Sequence, residues 1–254
     1  MTPAAGGPEP LTSPALSTRH GFFTRRGGVS TGPYASLNGS LSGGDDRALV
    51  GANRDLVARS LGAERMVGLT QVHGAEVVTV DDPWPAGAGP RADAMVTRRR
   101  GIVLGIITAD CAPVLLHDAQ AGVIGAVHAG WRGAVAGVLE ATVAAMAALG
   151  ATPAGIAAAV GPCIRQPSYE VGADLRDAVL AGDAAATRFF AGGARPGHWQ
   201  FDLAGYCAAR LSQVARVDVV DADTFADPDR FFSHRRRTLA GGGPIGHQIS
   251  AAVL

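Results

Sequence analysis

The chain has 254 residues, 47% of them hydrophobic, and 22 basic residues balance 22 acidic ones for a net charge of +0. With a mean hydropathy of +0.17, this composition excludes wholesale disorder, and the balance leaves no global electrostatic footprint for nucleic acid or anionic lipid. All 22 basic residues are arginine, so a Walker A loop, a lysine Schiff base and a lysine general base are excluded as well.

Residues 1–18 are rich in Pro, Ala, Gly, Ser and Thr. They carry no basic segment followed by an apolar run, so they are expected to be a disordered lead-in rather than a secretory signal. Residues 19–254 are expected to form one domain. Residues 46–61 repeat apolar positions at Leu49, Leu56 and Val57 and predict an amphipathic helix. Apolar runs of strand length follow at 67–72, 75–80, 102–107, 114–116 and 123–127. Residues 81–90 and 191–197 read as loops. From 133 to 149 the spacing becomes 3–4, with Val135, Val138, Leu139, Val143 and Met146 on one face, which predicts a helix. Strands are expected at 156–160 and 217–220, and helices at 173–181 and 203–214. The interleaving gives an α/β fold class. No apolar run is long enough to span a membrane. Three scattered cysteines fit a reducing, cytoplasmic setting better than a disulfide framework.

Three metal-ligand side chains follow predicted strands: His73, Cys111 and His128. Strand ends of one sheet converge, and two imidazoles with one thiolate suit zinc with a position left open. Spacing alone favours the plainer reading of capped strand-end histidines and a buried cysteine. A third reading makes Cys111 a nucleophile with His128 as its base. Asp110 beside the thiol would raise its pKa, which argues for a metal. Asp93, Gln71 and Asp110 are candidates to hydrogen-bond the ligands from behind. Arg25 or Arg26, before the Gly27-Gly28 turn, could offer a donor fork to phosphate or carboxylate, and Arg132 opens a helix where an anion is also favoured. The triplets at 98–100 and 235–237 read as solvated turns. Trp131 reads as packing before base stacking.

These residues fall in blocks: His20-Gly21-Phe22-Phe23-Thr24-Arg25, Ser36-Leu37-Asn38, Gln71-Val72-His73-Gly74, Asp93-Ala94-Met95-Val96-Thr97, Thr108-Ala109-Asp110-Cys111-Ala112-Pro113 and His128-Ala129-Gly130-Trp131-Arg132-Gly133. Gly161-Pro162-Cys163-Ile164, Tyr169-Glu170-Val171, Phe201-Asp202-Leu203 and Phe231-Phe232-Ser233 complete the series. In this order the chain resembles the YfiH-like, or multicopper-polyphenol-oxidase-related, proteins. The resemblance implies a layered α/β sandwich shared with toxin deamidases, and zinc on His73, Cys111 and His128. It also implies phosphorolysis of adenosine, inosine, guanosine and methylthioadenosine, together with adenosine deamination. The expected catalytic residues are Cys111, His128 and Asp110, and the expected substrate-binding residues Arg25, Asn38, Gln71, Asp93 and Arg132. The expected partners are nucleoside and phosphate, without nucleic acid or membrane.

Copper and laccase chemistry come with the older family label. Seven histidines do not suit a multicopper array, whereas zinc acidifies a bound water without redox chemistry. A zinc amidase or editing hydrolase acting on peptidoglycan precursors is the alternative. Two departures stand out. Asp221-Ala222-Asp223-Thr224 lacks the family's usual cysteine, and near the C-terminus, where the family tends to place an arginine after a Thr-Gly pair, this chain reads Gly241-Gly242-Gly243-Pro244-Ile245-Gly246-His247.

Overall fold

The computed structural model describes residues 7–254. Its first strands, β1 (Pro10–Leu11) and β2 (Arg19–Phe23), pair antiparallel. Helix α1 (Arg47–Ser60) starts at Asp46, whose carboxylate accepts from the Ala48 amide as an N-cap. Next come β3 (Arg65–Val67), β4 (Val77–Thr79), β5 (Ala94–Thr97), β6 (Ile102–Thr108), β7 (Ala112–Asp118) and β8 (Val123–Ala129). Helices α2 (Trp131–Ala136) and α3 (Val138–Ala148) precede β9 (Ile156–Val160), β10 (Glu170–Val171), α4 (Ala173–Gly182), β11 (Phe190–Gly192) and β12 (Trp199–Phe201). Helix α5 (Leu203–Arg210), β13 (Arg216–Val219), α6 (His234–Leu239) and β14 (Gln248–Val253) complete the order.

Two sheets carry the architecture, one ordered β1-β2-β14-β6-β3 and the other β13-β9-β7-β8-β5-β4. Alternate residues of the long strands face opposite layers. Leu104 and Ile106 of β6, Leu115 of β7 and Ile124 of β8 meet between the sheets with Phe22 and Met95. Val103 of β6 and Ile249 of β14 face outward onto Val57 of α1 and Leu61 just after it. Val114, Leu116 and Val127 face the other way, onto Val138, Leu139 and Met146 and onto α5. The order of layers is therefore helix, sheet, sheet, helices: a layered α/β fold. Both faces of β6, β7 and β8 are covered, which is why they read as unbroken apolar runs rather than alternations.

Several expectations change. The run 67–72 is strand only to Val67: Thr70 instead bridges to the backbone at 90–91, and Val72, His73 and Gly74 donate to the Asp93 carboxylate. The helix expected over 133–149 is two helices, broken at Gly137, whose φ of 93° lies in the left-handed region that suits glycine. The helix at 203–214 ends at Arg210. β1, β2, β5, β10, β11, β12, α6 and β14 had no counterpart among the expected elements, and β11 takes the first two residues of the loop expected at 191–197 by pairing with β12. The disordered lead-in is corrected over residues 7–18: Pro10 and Leu11 pair with Phe23 and Phe22, and Ser13 and Leu16 are buried. The apolar Leu16 supplies the reason, since it joins the inter-sheet core. The part of that expectation on residues 1–6 lies outside the described residues. No helix among the described residues is long and apolar enough to cross a membrane.

Candidate metal centre and its cavity

β7 and β8 run antiparallel with Pro113 opposite His128 and Ala112 opposite Ala129. Cys111, one residue before β7, is thereby brought beside His128 near the end of β8. His73 arrives from the loop between β3 and β4, with its backbone in the left-handed region at φ 62°. One potential ligand atom from each of the three lies within 4.8 Å of the others. His73 Nε2 is 3.9 Å from Cys111 Sγ, and the two imidazole rings meet edge to face at 4.7 Å. Two nitrogens and a sulfur at this separation fit a borderline-soft cation such as zinc, with room for a further ligand.

Asp93 organises the cluster from behind. Its fully buried carboxylate accepts from His128 Nδ1 at 2.8 Å and from the amides of Val72, His73 and Gly74. The Nδ1 bond fixes the tautomer and leaves His128 Nε2 for a ligand, the arrangement common behind metal-bound histidines. Burial opposes ionisation of Asp93, but the His128 hydrogen bond and the amide bonds outweigh it and hold its pKa below the ordinary value. Burial would also push the Cys111 thiol up, yet the charge and hydrogen bonds of His128 and His73 bring it down to about 6. The same contacts raise His128 against the effect of its own burial. Without metal, both shifts favour a thiolate on Cys111 and a proton on His128.

Iodoacetamide should therefore alkylate Cys111 in the metal-free folded protein and spare Cys163, whose thiol burial pushes up to about 12, and Cys207, raised for the same reason. The Cys111 rate should fall only as pH drops through about 6, and added zinc should suppress it. Alkylation of all three thiols alike would contradict this geometry.

The cluster opens into a cavity of about 700 Å³ lined also by Gln71, Asp110 and Arg132. Other expected site residues are placed elsewhere or are already engaged. Arg25 does not line the cavity. Its Nε donates to Ala35 O at 2.7 Å and its Nη1 to Pro228 O at 3.2 Å, and the guanidinium lies over the Phe232 ring. The phosphate-binding expectation for Arg25 is corrected on that ground, because these carbonyls and the ring occupy its fork. Arg26 likewise donates to Asp229 O. Arg25→Ala should instead lower stability by about 1–3 kcal/mol, the value of hydrogen bonds from a charged group. An unchanged Tm would contradict that structural role.

Asn38 is fully buried and holds the chain near His247: its Oδ1 accepts from the amides of Ser40 and His247. Asp93 acts through His128 rather than facing the cavity. Both are thus corrected from substrate contacts to positioning residues. Gln71 lines the cavity, but its amide is paired twice with the Ile107 backbone, at 2.8 and 3.0 Å. Asp110, expected to be catalytic, accepts from Thr224 Oγ1, Ser233 Oγ and the Arg235 amide at 2.7, 2.9 and 2.6 Å. These bonds hold its left-handed backbone, φ 88°, and aim the following Cys111. Arg132 is exposed on the cavity rim, stacked over Trp131 at 4.4 Å.

The structure adds Arg54, Tyr169, His234, Arg235 and His247 to the walls. Tyr169 lay in a quoted block and Arg235 in a triplet read as solvated. His247 ends the C-terminal segment that departs from the family pattern, and it lies on the cavity wall. Burial pushes its pKa down to about 4, and its Nδ1 is buried with no partner among the described residues. Thr224, in the segment that lacks the usual cysteine, supplies a hydroxyl to Asp110.

The comparisons agree with this architecture. A purine nucleoside phosphorylase of Streptomyces griseus is 44% identical over 247 residues, 91% of this chain and 96% of that protein. A Deinococcus radiodurans purine nucleoside phosphorylase is 42% identical over 236 residues, 89% of this chain and 87% of that one. Among solved structures, a Neisseria meningitidis protein superposes with a TM-score of 0.86 at 33% identity, covering 98% of this chain and 99% of its own. YlmD from Geobacillus stearothermophilus superposes at 0.85 with 29% identity, covering 99% and 97%. Residues 19–254 match the family model described as multi-copper polyphenol oxidoreductase laccase, and the chain belongs to that family, whose YfiH-like members its sequence blocks resemble.

Proposed function

We propose that the chain is a zinc-dependent purine nucleoside phosphorylase acting on adenosine, inosine, guanosine and methylthioadenosine, and that it also deaminates adenosine. The observation that carries this reading is the His73, Cys111 and His128 cluster, braced by Asp93 and opening into a cavity of nucleoside size. The names of relatives at 42–44% identity supply the substrate class. Zinc, if held by His73, Cys111 and His128, would supply Lewis acidity to a bound group.

The protein's own groups do the rest. Asp93 holds His128 and the His73 backbone in place, and Asp110 aims Cys111. Trp131 and Tyr169 line the cavity as aromatic walls, each with an arginine over its ring, against which a purine can pack. Tyr169 keeps its proton, since burial and the nearby Cys111 push its pKa up, so its hydroxyl can donate to a ring nitrogen as the bond from C1′ to N9 breaks. In phosphorolysis a phosphate oxygen forms the new bond to C1′. The bonding pair of the old bond leaves with the purine, which takes up the proton that the attacking hydrogenphosphate gives up.

The laccase reading has less support. A four-copper array needs several ligand groups, and one such group is found among the described residues. The deciding experiment is chromatography of adenosine incubated with the zinc-loaded protein, with and without phosphate, beside peptidoglycan-precursor amides. Adenine and ribose 1-phosphate with phosphate, and inosine without it, are expected. Amide cleavage with intact nucleoside would replace the reading with a hydrolase, and dioxygen uptake with a phenol would replace it with an oxidase.

A further inference from the structure

The geometry points to an anion subsite built on Arg54 and Arg47 of α1, which receives the orthophosphate consumed in phosphorolysis. This rests on the phosphorylase reading and gives the co-substrate the position that Arg25 does not supply. Arg54 lies inside the protein, 7% exposed, yet it lines the cavity. Its Nη1 donates to Gly39 O at 3.2 Å, and no carboxylate among the described residues forms an ion pair with it. A buried guanidinium without a counter-charge is unfavourable unless something anionic completes it. Burial lowers its pKa to about 10, so it remains charged at neutral pH.

The approach is built as well. A Cβ on Gly68 would lie 2.7 Å from Arg54 Nη2, so the guanidinium packs against bare backbone at Gly68, and both residues line the cavity. Arg47 precedes Arg54 by seven residues, two helical turns, and so shares its face. It also lines the cavity, near Gly87, and makes no ion pair among the described residues. Ser40 and Ser42 line the same stretch. Two guanidinium groups lining one cavity match a tetrahedral oxyanion better than an uncharged nucleoside. From Gly68 the chain runs five residues to the ligand His73, at most about 18 Å, so phosphate and metal share one chamber.

The test is isothermal calorimetry with orthophosphate on the zinc-loaded protein, alongside KM for phosphate and for adenosine. Arg54→Gln should weaken phosphate, by calorimetry and in KM, about 10- to 100-fold, as expected for a lost hydrogen bond to a charged partner. The KM for adenosine should stay within about twofold, a split that general damage would not give. If Arg54→Gln does not fold, Arg54→Lys serves: it keeps the charge, loses the fork and should weaken phosphate several-fold. Unchanged phosphate affinity in a folded Arg54 variant overturns the subsite. Calorimetry separates the two claims. A wild-type protein that binds phosphate through Arg54 without releasing base keeps the subsite and loses the phosphorylase reading, whereas one that binds no phosphate loses the subsite.

Discussion

Gly130→Ala is expected to deprive the protein of zinc without unfolding it. Gly130 caps α2 with φ −69° and ψ 162°, a conformation that alanine adopts freely. Its missing side chain nevertheless matters, because a Cβ there would lie 2.9 Å from His73 Cδ2 and 3.0 Å from Cys111 Sγ. Two of the three ligands must move, and metal bonds tolerate only about 0.2 Å of misplacement. The expected result is at least about a tenfold loss of metal affinity, the scale seen when groups orienting the ligands are disturbed. Zinc content after dialysis, beside the Tm of the metal-free forms, measures it. Full zinc retention would mean that the cluster is not the metal site.

Asp93→Ala should be the most damaging single change near the centre. It removes the acceptor for His128 Nδ1 and for three backbone amides at a fully buried position. Breaking a buried pair of this kind costs about 3–5 kcal/mol, and zinc affinity should fall about 10- to 100-fold. The sign of the pH dependence follows from the depressed pKa of Asp93. Its stabilisation is present above the unfolded carboxyl value of about 3.9 and is lost as pH falls through the lower folded value. Acid unfolding curves should therefore show a shallower dependence in the variant. Equal stability and zinc content in the two proteins would remove Asp93 from the account.

What the sequence disclosed follows the range of the interactions. Cys111 and His128 could be paired on paper because adjacent antiparallel strands of one hairpin carry them, and β7 and β8 were visible as apolar runs. His73 was found for a partly mistaken reason. It follows no strand end, since Gln71 and Asp93, reaching across 36 and 20 residues, take over the local backbone hydrogen bonds. Arg25 beside two glycines looked like an anion loop, but the carbonyl that accepts from its Nη1 lies 203 residues away at Pro228. Arg54 was hidden for the opposite reason, as one polar residue on an amphipathic helix whose burial, with a hydrogen bond to Gly39 O, comes from chain packed over it. β14, rich in small residues, gives little periodic signal, although it sits between β2 and β6 at the centre of its sheet.

The most direct test of the central claim is a zinc titration of stripped protein, following adenine release from adenosine in the presence of phosphate. Activity should be absent without metal, rise in proportion to added zinc and level off at one equivalent per chain, with Cys111→Ala remaining inactive throughout. Full phosphorolysis by the metal-free protein, or a rise that survives in Cys111→Ala, would contradict a catalytic centre held by His73, Cys111 and His128.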